Sequence, residues 1–378
     1  MDQRLKDKIV YSALIFYILS VMNPFSATLI NRKTEEGERP LSQDRYSRQK
    51  LFAPIGDAGQ QMLMQKRVLI IGAGALGTSS AEQLVRAGIG SLTIVDRDYV
   101  EMSNLQRQQL FSENDAQARM PKAIAAKERL RKINSDVYIE AHIMDAQREE
   151  LEELFQEADL ILDATDNFET RMMINDVSQI YNVPWIYGGC VGSYGLSYTI
   201  IPGETPCLHC LLESIPLGGA TCDTVGVISP AVQMVTAHQV TEALKILVED
   251  YDSLHRKLIS FDLWNNQYTS IKMDNVKRPD CPSCGEKPSY PFLSPENQMK
   301  TAVLCGRDTV QIRPGSKQKR DLEALRENLH EGEVMQNPFL LSYQTDKHRM
   351  IFFQDGRVLI HGTKDITEAR RLYHKILG

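Results

Sequence analysis

The stretch RVLIIGAGALG, residues 67–77, admits few folds. A short apolar run suited to a buried strand breaks at once into Gly72, Gly74 and Gly77, spaced G-x-G-x-x-G. Glycine tolerates positive φ and lets backbone approach a neighbour closely. The expected shape is a strand, a tight turn and a helix start that offers N–H groups to a phosphate. The pattern continues downstream. LTIV (92–95), VYIEAHI (137–143), LILDA (160–164) and PWIYG (184–188) read as strands. LGTSSAEQLVRAG (76–88), PKAIAAKERLRKI (121–133), LEELFQEA (151–158) and residues 169–181 read as helices, with Pro121 at the first helical position. Such alternation predicts an α/β fold with right-handed crossovers: a Rossmann-like, doubly wound, mostly parallel sheet whose ligands lie beyond the carboxyl ends of its strands. The glycine loop, Asp96 and DATDN (163–167) all fall at such ends.

Past residue 190 the pattern loosens. SYTII (197–201), LISFDL (258–263) and YTSIKM (268–273) read as antiparallel additions, and AVQMVTAHQVTEALKILVED (231–250) as a long helix packed on the sheet. Residues 294–378 form a separate small α+β module. It comprises a strand-like VLCGRDTVQIR (303–313), a helix at 319–329, a meander of 339–344, 350–354 and 357–361, and an amphipathic helix at 365–377. It carries no evident catalytic group, and its role is open.

A length of 378 residues suits one large domain and a smaller one. The division expected is a tail, 1–40, a main domain, 41–293, and the module, 294–378. The net charge of −6 gives no reason to expect nucleic-acid binding. In the tail, IVYSALIFYILSVM (9–22) follows Arg4, Lys6 and Lys8 and so resembles a signal peptide's first two regions. It is short of the roughly 20 residues of a membrane span, and a cut after Ala27 puts Phe25 at −3. Translation from Met22 or Leu41 is the third reading. Membrane contact follows only if the tail is translated; otherwise the protein is expected in the cytoplasm.

A lone glycine loop serves NAD or ATP equally, and Asp96, 24 residues after Gly72, suits the ribose of either. The next segment separates them. DRDYVEMSNLQRQ (96–108) places Ser103, Asn104, Leu105, Gln106 and Arg107 in a polar loop, Lys122 opens a helix, and Asp166 offers a carboxylate to a hard cation, with Asn167 beside it. Phosphate chemistry requires such cations, because charge develops on phosphorus oxygens in the transition state. An NAD(P)-dependent oxidoreductase needs an apolar nicotinamide slot instead. The plainer reading makes Arg107 and Lys122 solvated surface charges and Asp166 a helix cap.

Together RYSRQ (45–49), GAGALG, DRDYVEMSNLQRQ, PK (121–122), DATDN, two C-x-x-C pairs and ATCDTVGV (220–227) resemble the bacterial MoeB and ThiF sulfur-carrier adenylyltransferases, relatives of ubiquitin-activating enzymes. The resemblance covers residues 45–293. It implies an enzyme that uses ATP and Mg2+ to attach AMP to the C-terminal glycine of a small β-grasp carrier ending in Gly-Gly, ahead of sulfur transfer from a donor protein for thiamine or molybdopterin synthesis. It implies Asp96 at the ribose, Asn104, Arg107 and Lys122 at the triphosphate, and Asp166 at the magnesium. It also implies a homodimer in which Arg48 serves the partner's nucleotide. Many relatives have glycine where this chain has Ala75; the loop tolerates alanine there if φ stays negative. Superfamily members that activate a tRNA-base carboxylate are a further alternative.

Of seven cysteines, Cys207, Cys210, Cys281 and Cys284 form the two pairs. Four thiolates suit a closed tetrahedral zinc site with a structural role. The competing reading, two redox pairs, is weakened because neither pair was expected to open a helix after a strand. His209 is expected to be a bystander. Cys222, in GGATCDTVG, is the candidate reactive thiol, matching a position that relatives use for covalent linkage to the carrier. Cys190 is expected to follow a strand and pack internally, and Cys305 is ambiguous.

Overall fold

The computed structural model describes residues 44–214, 225–294, 301–303, 308–313, 319–330 and 332–377. The tail's apolar stretch, Cys222 and Cys305 lie outside the described residues. Residues 46–378 form one compact unit.

Its larger sheet has eight strands: β1 (Arg67–Ile71), β2 (Ser91–Asp96), β3 (Tyr138–Ile143), β4 (Leu160–Asp163), β5 (Trp185–Val191), β6 (Tyr194–Ile200), β7 (Lys257–Asp262) and β8 (Gln267–Lys272). They run in the order β3-β2-β1-β4-β5-β6-β7-β8. The first five are mutually parallel and the last three join antiparallel, in line with the sequence expectation. Strand order reverses between β1 and β4, which is where a doubly wound sheet opens a crevice at its carboxyl edge.

Alternation along β1 explains the layers. Val68 and Ile70 face a core with the helices Ala75–Ala87, Lys122–Ile133 and Ser229–Leu247, whereas Leu69 and Ile71 face a second core with Arg148–Gln156 and Phe168–Tyr181. β1 is apolar throughout its buried part because both of its faces are covered. The helix expected at 151–158 starts at Arg148, since the acidic first turn Glu149–Glu150 is favoured at a helix N-terminus despite its polarity. Pro121 is the N-cap of Lys122–Ile133 rather than its first residue. Its ψ of 134° is extended, and it bridges to Tyr99. Cys190 lies within β5, not after it.

The smaller sheet is antiparallel. Its strands are β9 (Thr301–Val303), β10 (Thr309–Ile312), β11 (Glu333–Gln336), β12 (Leu340–Gln344), β13 (Arg349–Phe353) and β14 (Val358–His361), ordered β11-β12-β13-β14-β10-β9. The helices Leu322–Glu327 and Ile366–Leu377 pack on one face of it. β11 was not anticipated, because EVMQ carries half-exposed and exposed side chains on an edge strand and shows no apolar alternation. Among the described residues, no helix is long and apolar enough to cross a membrane.

Candidate active site

The three glycines divide their work. Gly72 has φ +101°, its N–H donates to the Val95 carbonyl at 2.7 Å, and a Cβ there would stand 2.7 Å from the carbonyl carbon of Ala164. At Gly77 a Cβ would stand 2.9 Å from the carbonyl carbon of Gly72. These two let helix, turn and β4 close on one another. Gly74 is different. It is the N-cap of Ala75–Ala87, no side chain caps it, and a Cβ there would meet nothing nearer than Gln108 Nε2 at 4.0 Å. The helix therefore presents uncapped N–H groups to open space, which is what an anion requires. Ala75 is the first helical residue and has no positive φ, so the side chain is accommodated as expected.

Across the loop stands Asp96, at the end of β2. Its Oδ2 accepts from Ala73 N–H at 2.6 Å and its Oδ1 from Asp98 N–H at 2.7 Å. The carboxylate thus braces the glycine loop, and its remaining lone pairs stay available to a ribose hydroxyl. Burial pushes its pKa up, Lys122 pulls it back and Asp98 adds to the rise. Lys122 is 4% exposed, with Nζ 3.3 Å from Asp98 Oδ2. It is not a solvated surface charge.

The polar loop after β2 turns at Met102–Asn104. Asn104 is buried, and its Oδ1 accepts from Glu101 N–H at 3.0 Å, so one of its polar atoms holds the turn. Arg107 is half-exposed and donates from Nη1 to the Ser103 carbonyl at 2.9 Å. Ser103 and Gln106 are exposed, and Leu105 packs on the core. Gln108 is a residue that sequence reasoning missed. It is 3% exposed, lies beside Gly74, and its Oε1 has no hydrogen-bond partner among the described residues. Such an orphaned acceptor at the loop suits a hydrogen-bonding ligand.

The turn after β4 is locked from within. Asp163, fully buried, accepts from Thr165 N–H and Oγ1 at 2.9 and 2.7 Å and from Arg171 Nε at 2.9 Å. Arg171 also donates to the carbonyls of Thr165 and Gly188 at 2.6 and 3.0 Å. Burial opposes its charge, but Asp163, Tyr187 and Asp166 together outweigh burial and hold the guanidinium firmly protonated. Asn167, rather than Asp166, caps the following helix, accepting from Thr170 N–H at 2.8 Å. This leaves Asp166 exposed at the mouth, 3.6 Å from Arg97 Nη2.

Arg48 lies elsewhere. It is exposed on the helix Ser47–Lys50, whose neighbour Tyr46 covers Gly88 and accepts from Asn134 Nδ2 at 2.9 Å. Gln49 Nε2 donates to the Ala87 carbonyl at 2.8 Å. Both anchors sit at the far end of Ala75–Ala87, whose 13 residues span about 20 Å from the loop.

The four paired cysteines converge. Sγ separations are 4.0 Å for Cys207–Cys210, 3.7 Å for Cys207–Cys281 and 3.6 Å for Cys210–Cys284. A tetrahedron with Zn–S bonds of ~2.3 Å sets its sulfurs about 3.8 Å apart, so the donor set fits zinc. The first pair does open a helix, Leu208–Ser214, contrary to expectation; Leu208 N–H is held by Asn175 Oδ1 at 2.8 Å. His209 is engaged with Ser283 Oγ at 3.1 Å and does not join the cluster.

Residues 46–283 match the ThiF family. The chain is 56% identical over 337 residues to the sulfur carrier protein ThiS adenylyltransferase of Bacillus subtilis, covering 88% of this chain and 99% of that one. That span exceeds residues 46–283, so the similarity runs into the terminal segments. It is 35% identical over 247 residues to the molybdopterin-synthase adenylyltransferase of Escherichia coli, covering 64% of this chain and 96% of that one. Escherichia coli MccB, solved with succinimide, shares the fold with a TM-score of 0.56 at 25% identity, over 65% of this chain and 75% of that one.

Proposed function

This chain belongs to the ThiF family, and we propose that its glycine-loop site joins AMP to the C-terminal glycine of a small carrier protein. The chain is an adenylyltransferase that uses ATP and acts on a sulfur-carrier protein. The nicotinamide alternative is thereby set aside. One observation carries the site assignment: three strand exits converge on a loop open at Gly74, with the buried Lys122 and the half-buried Asp96 beside it.

The loop's N–H groups and Lys122 receive the phosphates, Asn104 and Arg107 extend that grip, and Asp96 receives the ribose. The glycine carboxylate is ionised at neutral pH, so no side chain acts as nucleophile. It attacks the α-phosphorus, the bond to the β-phosphate oxygen breaks, and diphosphate leaves. The enzyme's task is to orient two anions and offset their repulsion. Asp166, an exposed carboxylate at a strand end, fits Mg2+, which neutralises diphosphate charge when bound. Cys207, Cys210, Cys281 and Cys284 would hold Zn2+ as a tie between distant segments. Arg48 is too far from its own loop, which supports a homodimer in which it serves the partner's nucleotide. The 56% identity to a ThiS enzyme, against 35% to the molybdopterin one, favours a thiamine-branch carrier. Cys222 stands as the thiol for covalent linkage during sulfur transfer, and reduced cysteines suit the cytoplasm.

The test is mass spectrometry of carrier-AMP. Arg107→Ala and Lys122→Ala should each slow adenylation roughly 100- to 1000-fold with the fold retained. Wild-type rates in both would overturn the assignment.

A further inference from the structure

The smaller sheet lies directly on the loops that follow β2 and β3. Leu340, Ile351, Phe353 and Leu359 form one cluster with Tyr99, three residues after Asp96, and Ile143 packs against it. Polar contacts frame this cluster. Arg349 pairs with Glu101 at 2.7 Å, Asn337 Nδ2 donates to the carbonyls of Ala118 and Arg119 at 3.0 and 3.1 Å, and Arg357 Nη1 donates to the Arg97 carbonyl at 3.2 Å.

At its centre is Asp145, 8% exposed. From the smaller sheet, Gln311 Nε2 donates to its Oδ2 at 2.6 Å and Arg313 Nε at 2.5 Å. From the larger sheet, Arg97 Nη1 approaches its Oδ1 at 3.4 Å. Arg97 turns its other terminal nitrogen to Asp166, 3.6 Å away. The guanidinium is 17% exposed and its Asp166 partner 73% exposed, so the fixed end of this chain of contacts is Asp145 and the free end is Asp166. A buried carboxylate gripped by three donors defines where Arg97 points, and a rigid fork restricts the rotamers of the exposed carboxylate it faces.

We propose that the C-terminal module is a positioning element of the nucleotide site: Gln311 and Arg313 fix Asp145, Asp145 fixes Arg97, and Arg97 holds Asp166 ready for the metal-bound triphosphate. This rests on the reading of Asp166 as the magnesium carboxylate. The module then has a task in every turnover although it contributes no group to the reacting atoms.

Calorimetric titration of the full-length protein with ATP, in Mg2+ and again in EDTA, tests this without any turnover. Arg313→Gln should weaken Mg·ATP binding about 5- to 20-fold and leave ATP binding in EDTA within about twofold, because only the metal-bound triphosphate uses Asp166. Arg313→Lys should recover most of the loss. Gln311→Met, a milder change without loss of charge, should move Mg·ATP binding in the same direction if Arg313→Gln folds poorly. In the double variant with Asp166→Asn, Arg313→Gln should add nothing. Equal weakening in Mg2+ and EDTA, or no change in either, overturns the proposal. If Asp166→Asn itself binds Mg·ATP like wild type, the assignment of Asp166 is what fails. If Asp166→Asn weakens binding and the Arg313 and Gln311 variants do not, the proposal alone fails.

Discussion

In Gly74→Ala the added methyl group enters space that the protein itself leaves open. Its nearest neighbour is Gln108 Nε2 at 4.0 Å, and φ −80° with ψ −150° is within reach of alanine. The folded chain should therefore accept the change, and the melting temperature should stay within about a degree, since no strain mechanism applies. A bound phosphate would meet the methyl group where it needs the backbone N–H. Displacing the reacting group by about 1 Å is enough to lose about 100-fold in rate, about 2.8 kcal/mol of barrier, and ATP affinity falls with the lost N–H contact. Gly77→Ala is the counterpart. Its methyl would stand 2.9 Å from the carbonyl carbon of Gly72. The Gly72 carbonyl oxygen lies nearer still, so helix and turn must part by more than the roughly 0.6 Å that the carbon contact alone requires, at a cost of at least about 1–3 kcal/mol. Gly77→Ala should lower both the melting temperature and ATP affinity. Calorimetric ATP titration beside thermal unfolding reads both quantities. An unchanged ATP affinity in Gly74→Ala, with the fold intact, would refute the loop as the phosphate seat.

Three further outcomes are expected. Arg171→Met strands Asp163 without its cation in a fully buried site and should destabilise the protein by about 3–5 kcal/mol in denaturant titration; a smaller loss than 1 kcal/mol (about one tenth of ordinary domain stability) would contradict the pairing. Burial alone would raise the Asp145 pKa, but Arg97, Arg313 and Arg357 outweigh it and hold it below 3.8. Its stabilising contribution is thus complete above pH ~4 and is lost as pH falls through the depressed native value. Asp145→Asn should melt earlier than wild type at neutral pH, and the gap should narrow below about pH 4; a gap independent of pH would contradict it. Protein purified without chelator should carry one zinc per chain by elemental analysis, and Cys281→Ser should lose both zinc and thermal stability.

The strand ladder was legible because β1, β2, β4 and β5 are largely apolar runs punctuated by glycine, proline or acid, and strands covered on both faces leave that imprint; β3, at the edge, shows as an alternation instead. The site's outer residues were legible for a related reason: Gly72, Asp96 and Asp166 sit where strands stop. Partnerships across the chain were not. Nothing local pairs Asp163 with Arg171, and eight residues of spacing do not announce that the helix Phe168–Tyr181 folds Arg171 back under β4. Arg97 read as one more charge in a polar loop. Its role emerges only when β10 brings Gln311 and Arg313 to Asp145, more than 160 residues away in sequence. Asn104 and Asn167 were legible as polar residues at the site, but their engagement in capping depends on backbone geometry. The convergence of the four paired cysteines was legible from their spacing, even though the first pair opens a helix.

The central claim is that this site activates a carrier's terminal carboxylate by displacing diphosphate from ATP. Exchange of labelled diphosphate into ATP measures that step directly, with purified protein, Mg2+ and a small β-grasp carrier ending in Gly-Gly. Label should enter ATP with the intact carrier and fail to enter when its last glycine is removed. Exchange that proceeds equally without a carrier, or never with any diglycine-ended carrier of the thiamine or molybdopterin kind, would contradict the account.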